Sequence, residues 1–154
     1  KRGVRKMINN TWAYENETKV LGILNSYAIP NLRKKFPSMK WQQGVTITNL
    51  ESRLSKPTFP TIYVHELPGT EQGRTLDGQN INGVLTTFEV QTFANTSQYD
   101  AKLMLAIVAD VFKTMRFEVT SMPEFNKSDG TGTVYRSVAR FKRRLGANDR
   151  LMDK

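Results

Sequence analysis

Few residues in this chain are able to make or break bonds. There is one histidine, His65, and no cysteine, which excludes thiol nucleophiles, disulfides and the usual His/Cys zinc sets. His65 sits in the run Thr61-Ile-Tyr-Val-His-Glu-Leu67, which alternates like a strand, so its neighbour Glu66 points to the opposite face. The two cannot serve one substrate as acid and base, and an isolated strand histidine seldom marks a site. The glycines of 69–83 and Gly130-Thr131-Gly132 lack the GxxxxGK[ST] and GxGxxG spacings that aim backbone amides at phosphate. Asp77-Gly78-Gln79-Asn80 lacks the alternating oxygen ligands and closing glutamate of a calcium loop. No catalytic residue, metal or cofactor is expected, and the chain reads as a non-enzyme.

Charge is the stronger signal. The net charge is +9, with 11 basic and 3 acidic residues in 1–60, 5 and 9 in 61–130, and 7 and 2 in 131–154. The ends are basic and the middle acidic, a pattern that suits a polyanion or oppositely charged edges of neighbouring copies. In Val134-Tyr-Arg-Ser-Val-Ala-Arg-Phe-Lys-Arg-Arg144, Tyr135, Ser137, Ala139 and Phe141 share one face of a strand, while Arg136, Val138, Arg140 and Lys142 share the other. A base-stacking sheet interleaves exposed aromatics with its cations. Here the strand's own aromatics lie opposite its arginines, so a solvated face or a protein interface is favoured over phosphate contact.

The elements that would position these groups follow from periodicity. Lys1 to Asn10 is basic and aperiodic, and residues 1–16 read as an arm. From Glu17, Val20, Leu21, Leu24, Tyr27 and Ala28 form one helical stripe, which Pro30 should end or kink. Val45–Leu50 and Thr61–Leu67 alternate as strands, the second stopped by Pro68-Gly69. Residues 69–83 carry four glycines and an Asp-Gly step, as a long loop or extended hairpin tip does. Val84–Ala94 is a strand expected to pair with 61–67. Ser97 and Asp100 resemble a capping box before a helix reaching about Arg116. Phe117–Met122 and Thr133–Arg143 form a terminal hairpin around the turn at 126–132. In 154 residues this is one α+β domain, an antiparallel or mixed sheet packed with two main helices in the order α-β-β-β-α-β-β. No apolar run is long enough for a membrane span, and the expected compartment is cytoplasmic.

Phe59-Pro60 before a strand, VLTTFEVQTF (84–93), the helix Asp100 to Met115, RFEVTSMP (116–123) and VYRSVARF (134–141) together resemble the tail terminator, or tail completion, proteins of long-tailed bacteriophages. The resemblance covers about residues 17–145, with 146–154 left as a basic tail. It implies a structural virion subunit at the tail-neck junction, assembled in the host cytoplasm. Six copies would ring the end of the tail tube, stop its growth and present a docking surface to the head connector or stopper. The implied partners are the chain itself, the tail tube protein and the connector, with genomic DNA passing through without specific recognition. Arg136, Arg140, Lys142, Arg143 and Arg144 are the expected subunit or connector contacts, and Gly73, Arg74, Asp77 and Asn80 the partner-contacting loop. Because a cationic bore would retain DNA, most basic groups are expected outside the channel. The alternatives are a head-completion or stopper protein and a small basic nucleic-acid-binding domain.

Overall fold

A computed structural model describes residues 8–50, 59–73, 76, 78–127 and 134–152, without the side chains of 123–127. A 3-10 turn, Thr11–Tyr14, leads into helix α1, Asn16–Lys35; strands β1, Ile47–Thr48, β2, Thr61–Gln72, and β3, Gly83–Ala94, come next. Helix α2, Gln98–Thr114, and strands β4, Glu118–Lys127, and β5, Tyr135–Gly146, complete the chain. The five strands form one sheet in the order β1-β2-β3-β5-β4. Only the β1–β2 pair is parallel, so the sheet is mixed and the fold is α+β.

Both helices lie on one face. Val20, Leu24 and Ala28 of α1 and Met104, Leu105, Val108 and Phe112 of α2 join a single buried cluster with Ile62, Val64, Phe88, Val90, Ala139 and Phe141 of the strands. The strand members share a side because β2, β3 and β5 are in register, with Val64 opposite Val90 and Val90 opposite Ala139. At the centre the Phe112 and Phe141 rings stack with centroids 4.4 Å apart, and Phe117 meets Phe112 edge-on at 5.1 Å. Such aromatic contacts add to the burial term that holds the layers together.

The helix boundaries have local causes. Ser97 caps α2 by accepting from the Asp100 N–H at 3.1 Å, while the Asp100 carboxylate turns to the Thr96 hydroxyl at 2.6 Å rather than closing a reciprocal box. At the other end the Phe117 N–H reaches Phe112 O and the Arg116 N–H reaches Lys113 O, both at 2.9 Å. This is the left-handed helix stop normally built on glycine, here with Arg116 at φ 65°. The edge-on Phe112–Phe117 contact accompanies it and holds the arginine in that conformation.

Several expectations need correction. Of the two effects expected at Pro30, ending the helix is not seen, and α1 adds a further turn to Lys35. Pro30 and Ser26 are both exposed, so the Ser26 carbonyl, which loses its helical donor, faces water instead. Tyr27, expected on the buried stripe, is half-exposed. The 45–50 strand shrinks to two residues, because the Val45 and Thr46 amides fold back onto Gln42 O in a turn. Val45 and Leu50 are left exposed.

Nor do Pro68 and Gly69 stop β2; they form an irregularity between Leu67 and Thr70, after which pairing with β3 resumes to Gln72. Gly69 suits that bulge, since a Cβ there would lie 3.1 Å from both Leu85 O and the Val84 side chain. Of 69–83, residues 69–72 and 83 are therefore strand, and the stretch between them is the tip of an extended hairpin, one of the two forms expected. Strand β4 likewise extends past Met122 to Lys127 and β5 past Arg143 to Gly146.

Described residues of the expected arm and tail make contacts with the domain. The Asn10 side chain donates to Gln79 O at 2.9 Å and accepts from the Ile81 N–H at 3.0 Å, tying residue 10 to the hairpin. Leu151 is buried, and the Gly146 N–H donates to the Asp149 carboxylate at 2.7 Å, so the segment after β5 folds back.

Candidate interaction surface

The strand register that seals one side of the sheet aligns the other side in rows. Tyr63, Gln91 and Val138 form one row, His65, Glu89 and Arg140 the next, and Leu67, Thr87 and Lys142 a third. Arg136 lies beside Phe93, Arg144 beside Leu85, and Glu118 beside Lys142. The two described helices pack on the opposite face.

Its polar groups are mutually positioned. Arg140 grips one Glu89 oxygen with Nη2 at 2.8 Å and Nε at 2.9 Å. The other Glu89 oxygen accepts from Gln91 Nε2 at 3.0 Å, and Gln91 Oε1 accepts from Arg136 Nη1 at 3.4 Å. Glu89 is only 16% exposed at its side chain, so this ion pair is screened less than an open surface pair. Lys142 approaches Glu118 at 3.9 Å with both side chains exposed, a contact of little energetic weight. Four cations thus face two described carboxylates, and Arg144 stands exposed at the end of the row.

Aromatic placement differs from the expectation drawn from β5 alone. Tyr63 and Phe93, contributed by neighbouring strands, share the outer face with the arginines. They are nonetheless buried, at 3% and 2% exposure, and offer no ring face for a base. His65 stacks on Tyr63 at 5.8 Å and 18°, an ordinary same-face strand contact. Among the described residues, no group of three His, Asp or Glu side chains is arranged to hold a metal.

The five expected contact residues do not stay together. Arg136, Arg140, Lys142 and Arg144 share the outer face, but Arg143 falls on the core side opposite Thr86. Its guanidinium reaches past the core to donate to Met115 O at 2.7 Å and Leu151 O at 3.5 Å, joining the end of α2 to the segment after β5. Alternation dictates this, since consecutive strand residues cannot face the same way. Of the expected loop residues, Gly73 and Asn80 lie exposed at the hairpin tip; Arg74 and Asp77 lie outside the described residues.

Glu66 lies, as alternation predicts, on the face opposite His65, but its surroundings were not foreseen. Facing inward opposite Phe88, it is half-buried, and desolvation, reinforced by the Glu17 carboxylate, pushes its carboxyl up to about 7. Glu17 itself accepts from the Glu66 N–H at 3.0 Å and from Asn49 Nδ2 at 3.1 Å. It thereby serves the edge of β2 where β1 has run out. A lone acidic residue at an inward strand position was the available signal.

No protein-family model matches this chain, and no curated protein matches it. Among the described residues no helix is long and apolar enough to cross a membrane.

Proposed function

We propose that this protein is a structural subunit of a phage tail-neck junction, a tail terminator that assembles as a six-membered ring on the finished tube and presents a docking surface to the head connector. The reading rests on the resemblance noted above, and the outer sheet face is the observation that supports it. That face carries a polar lattice, Arg136–Gln91–Glu89–Arg140, with cations in excess among the described residues. Pre-positioned charges contribute orientation and partner choice at an interface more than raw affinity. A ring subunit needs that property, because it must meet identical copies in one register.

A nucleic-acid platform is disfavoured by the same face, whose arginine at the centre is neutralised by Glu89 and whose aromatics are buried. The deciding experiment is electron microscopy of tail tubes mixed with the purified protein, alongside its solution mass. Sixfold annuli on tube ends are expected. The Arg140→Glu, Lys142→Glu double variant should fold but lose ring formation or head joining; unchanged assembly would remove the outer face from the proposal.

A further inference from the structure

Helix α1 begins beside the edge of β2 that β1 leaves uncovered. The Ile62 N–H donates to Thr46 O, so the amides of even-numbered residues in this part of β2 point toward β1. Strand β1 pairs only as far as Thr48, opposite Tyr63. The amides that follow Val64 on this side would be those of Glu66 and Pro68, and proline has none. The Glu66 N–H is therefore the last donor on this edge before the irregularity that follows Leu67. Glu17, in the first turn of α1, takes it at 3.0 Å with one oxygen and holds Asn49 Nδ2 at 3.1 Å with the other. One carboxylate thus does for β2 what a longer β1 would have done, and it closes an edge open to pairing with another chain.

The residue so held carries an acid of its own. Glu66 turns inward opposite Phe88 and borders a cavity of about 470 Å³. The titratable side chains at that cavity are Tyr14 of the 3-10 turn and His65 and Glu71 of β2; β3 contributes Val84, and no described lysine or arginine lines it. Desolvation, and after it the Glu17 charge, keep the Glu66 proton bound up to about pH 7.

We propose that Glu17 and Glu66 form a proton-operated latch on the edge of β2. While Glu66 is neutral, the Glu17 carboxylate stays on the Glu66 amide and on Asn49; once Glu66 is ionised, the two like charges part and Glu17 swings off the edge. The movement is local, because Asn10 is anchored on Gln79 and Ile81 ahead of the helix and Val20 and Leu24 are buried within it. Opening bares a strand-edge donor and the exit of β1, and it does so whether or not the chain forms rings.

Hydrogen exchange at the Glu66 amide tests the latch. Its protection, corrected for the intrinsic effect of pH, is divided by that of the Val90 amide in the central strand, which reports global opening. From about pH 6 to about pH 8 the native protein should lose about tenfold in that ratio. Glu66→Gln should hold the ratio constant, and because His65 and Glu71 stay in place, the lost pH course belongs to Glu66. Glu17→Ala should give the low ratio at both pH values, with Val90 protection showing that the variant is folded. A native ratio that does not change with pH, the same pH course in Glu66→Gln, or full protection in Glu17→Ala would overturn the latch.

Discussion

The two sides of β5 are built from alternate residues of one strand, and they obey different physics. Ser137, Ala139 and Phe141 are at most 1% exposed, and their contribution comes from excluded water and ring contacts that any change of volume disturbs. Arg136, Arg140 and Lys142, one residue away in each case, are held by ion pairs and amide contacts across the opposite face. The first set determines whether the chain folds, and the second is free to determine what the folded chain meets. Arg143 is the exception that sharpens the contrast, a cation turned to the core side and consumed by the fold's own carbonyls.

The largest effect should come from the sealed side. Phe141→Ala removes a ring stacked on Phe112 and is expected to cost about 3–5 kcal/mol in denaturant unfolding; a loss under about 1 kcal/mol would mean the core repacks freely and the contrast is overdrawn. Arg143→Met should come next, at about 2 kcal/mol, because it leaves the Met115 carbonyl without its donor. If instead Arg143→Met leaves stability intact and abolishes assembly, Arg143 belongs with the outer-face cations.

Glu66 tests the inward side by pH. Its carboxyl is raised from 4.5 to about 7, so the folded state binds this proton more tightly than the unfolded chain does. The stability it contributes is complete below about 4.5 and is lost as pH rises through about 7. Glu66→Gln should flatten that slope and stabilise the protein at pH 8 by about 1 kcal/mol, reduced from the full shift because the group is half-exposed. Thermal melts from pH 4 to 8 that show no difference between the two proteins would remove the buried carboxyl from the account. The smallest stability change belongs to the outer face. Arg140→Ala should alter unfolding by less than about 1 kcal/mol while reducing assembly, measured by sedimentation at matched concentration.

Much of the secondary structure was legible because its causes are local. The apolar spacing of α2 and its Ser97 cap, the period-two run of β3 and the opposed faces of β5 are written in neighbouring residues. What misled was local chemistry answered by distant contacts. Pro30 reads as a helix stop but sits where solvent replaces the lost hydrogen bond, and Pro68-Gly69 reads as a strand end but becomes a bulge because β3 continues alongside. Val45–Leu50 has a strand's pattern but loses most of it to a turn anchored on Gln42.

The sequence by itself determined the kind of fold, the lack of thiol chemistry and the cationic row on one side of the last strand, since composition and alternation need no partner to be read. Only the tertiary structure decided that Glu89 would neutralise Arg140, that Tyr63 and Phe93 would be buried on the arginine face, that Arg143 would serve the core, and that Glu66 would face Phe88 beside Glu17. Each of those depends on strand register and on a helix laid across distant strands, and contacts between residues far apart in the chain have no signature in the local order of side chains.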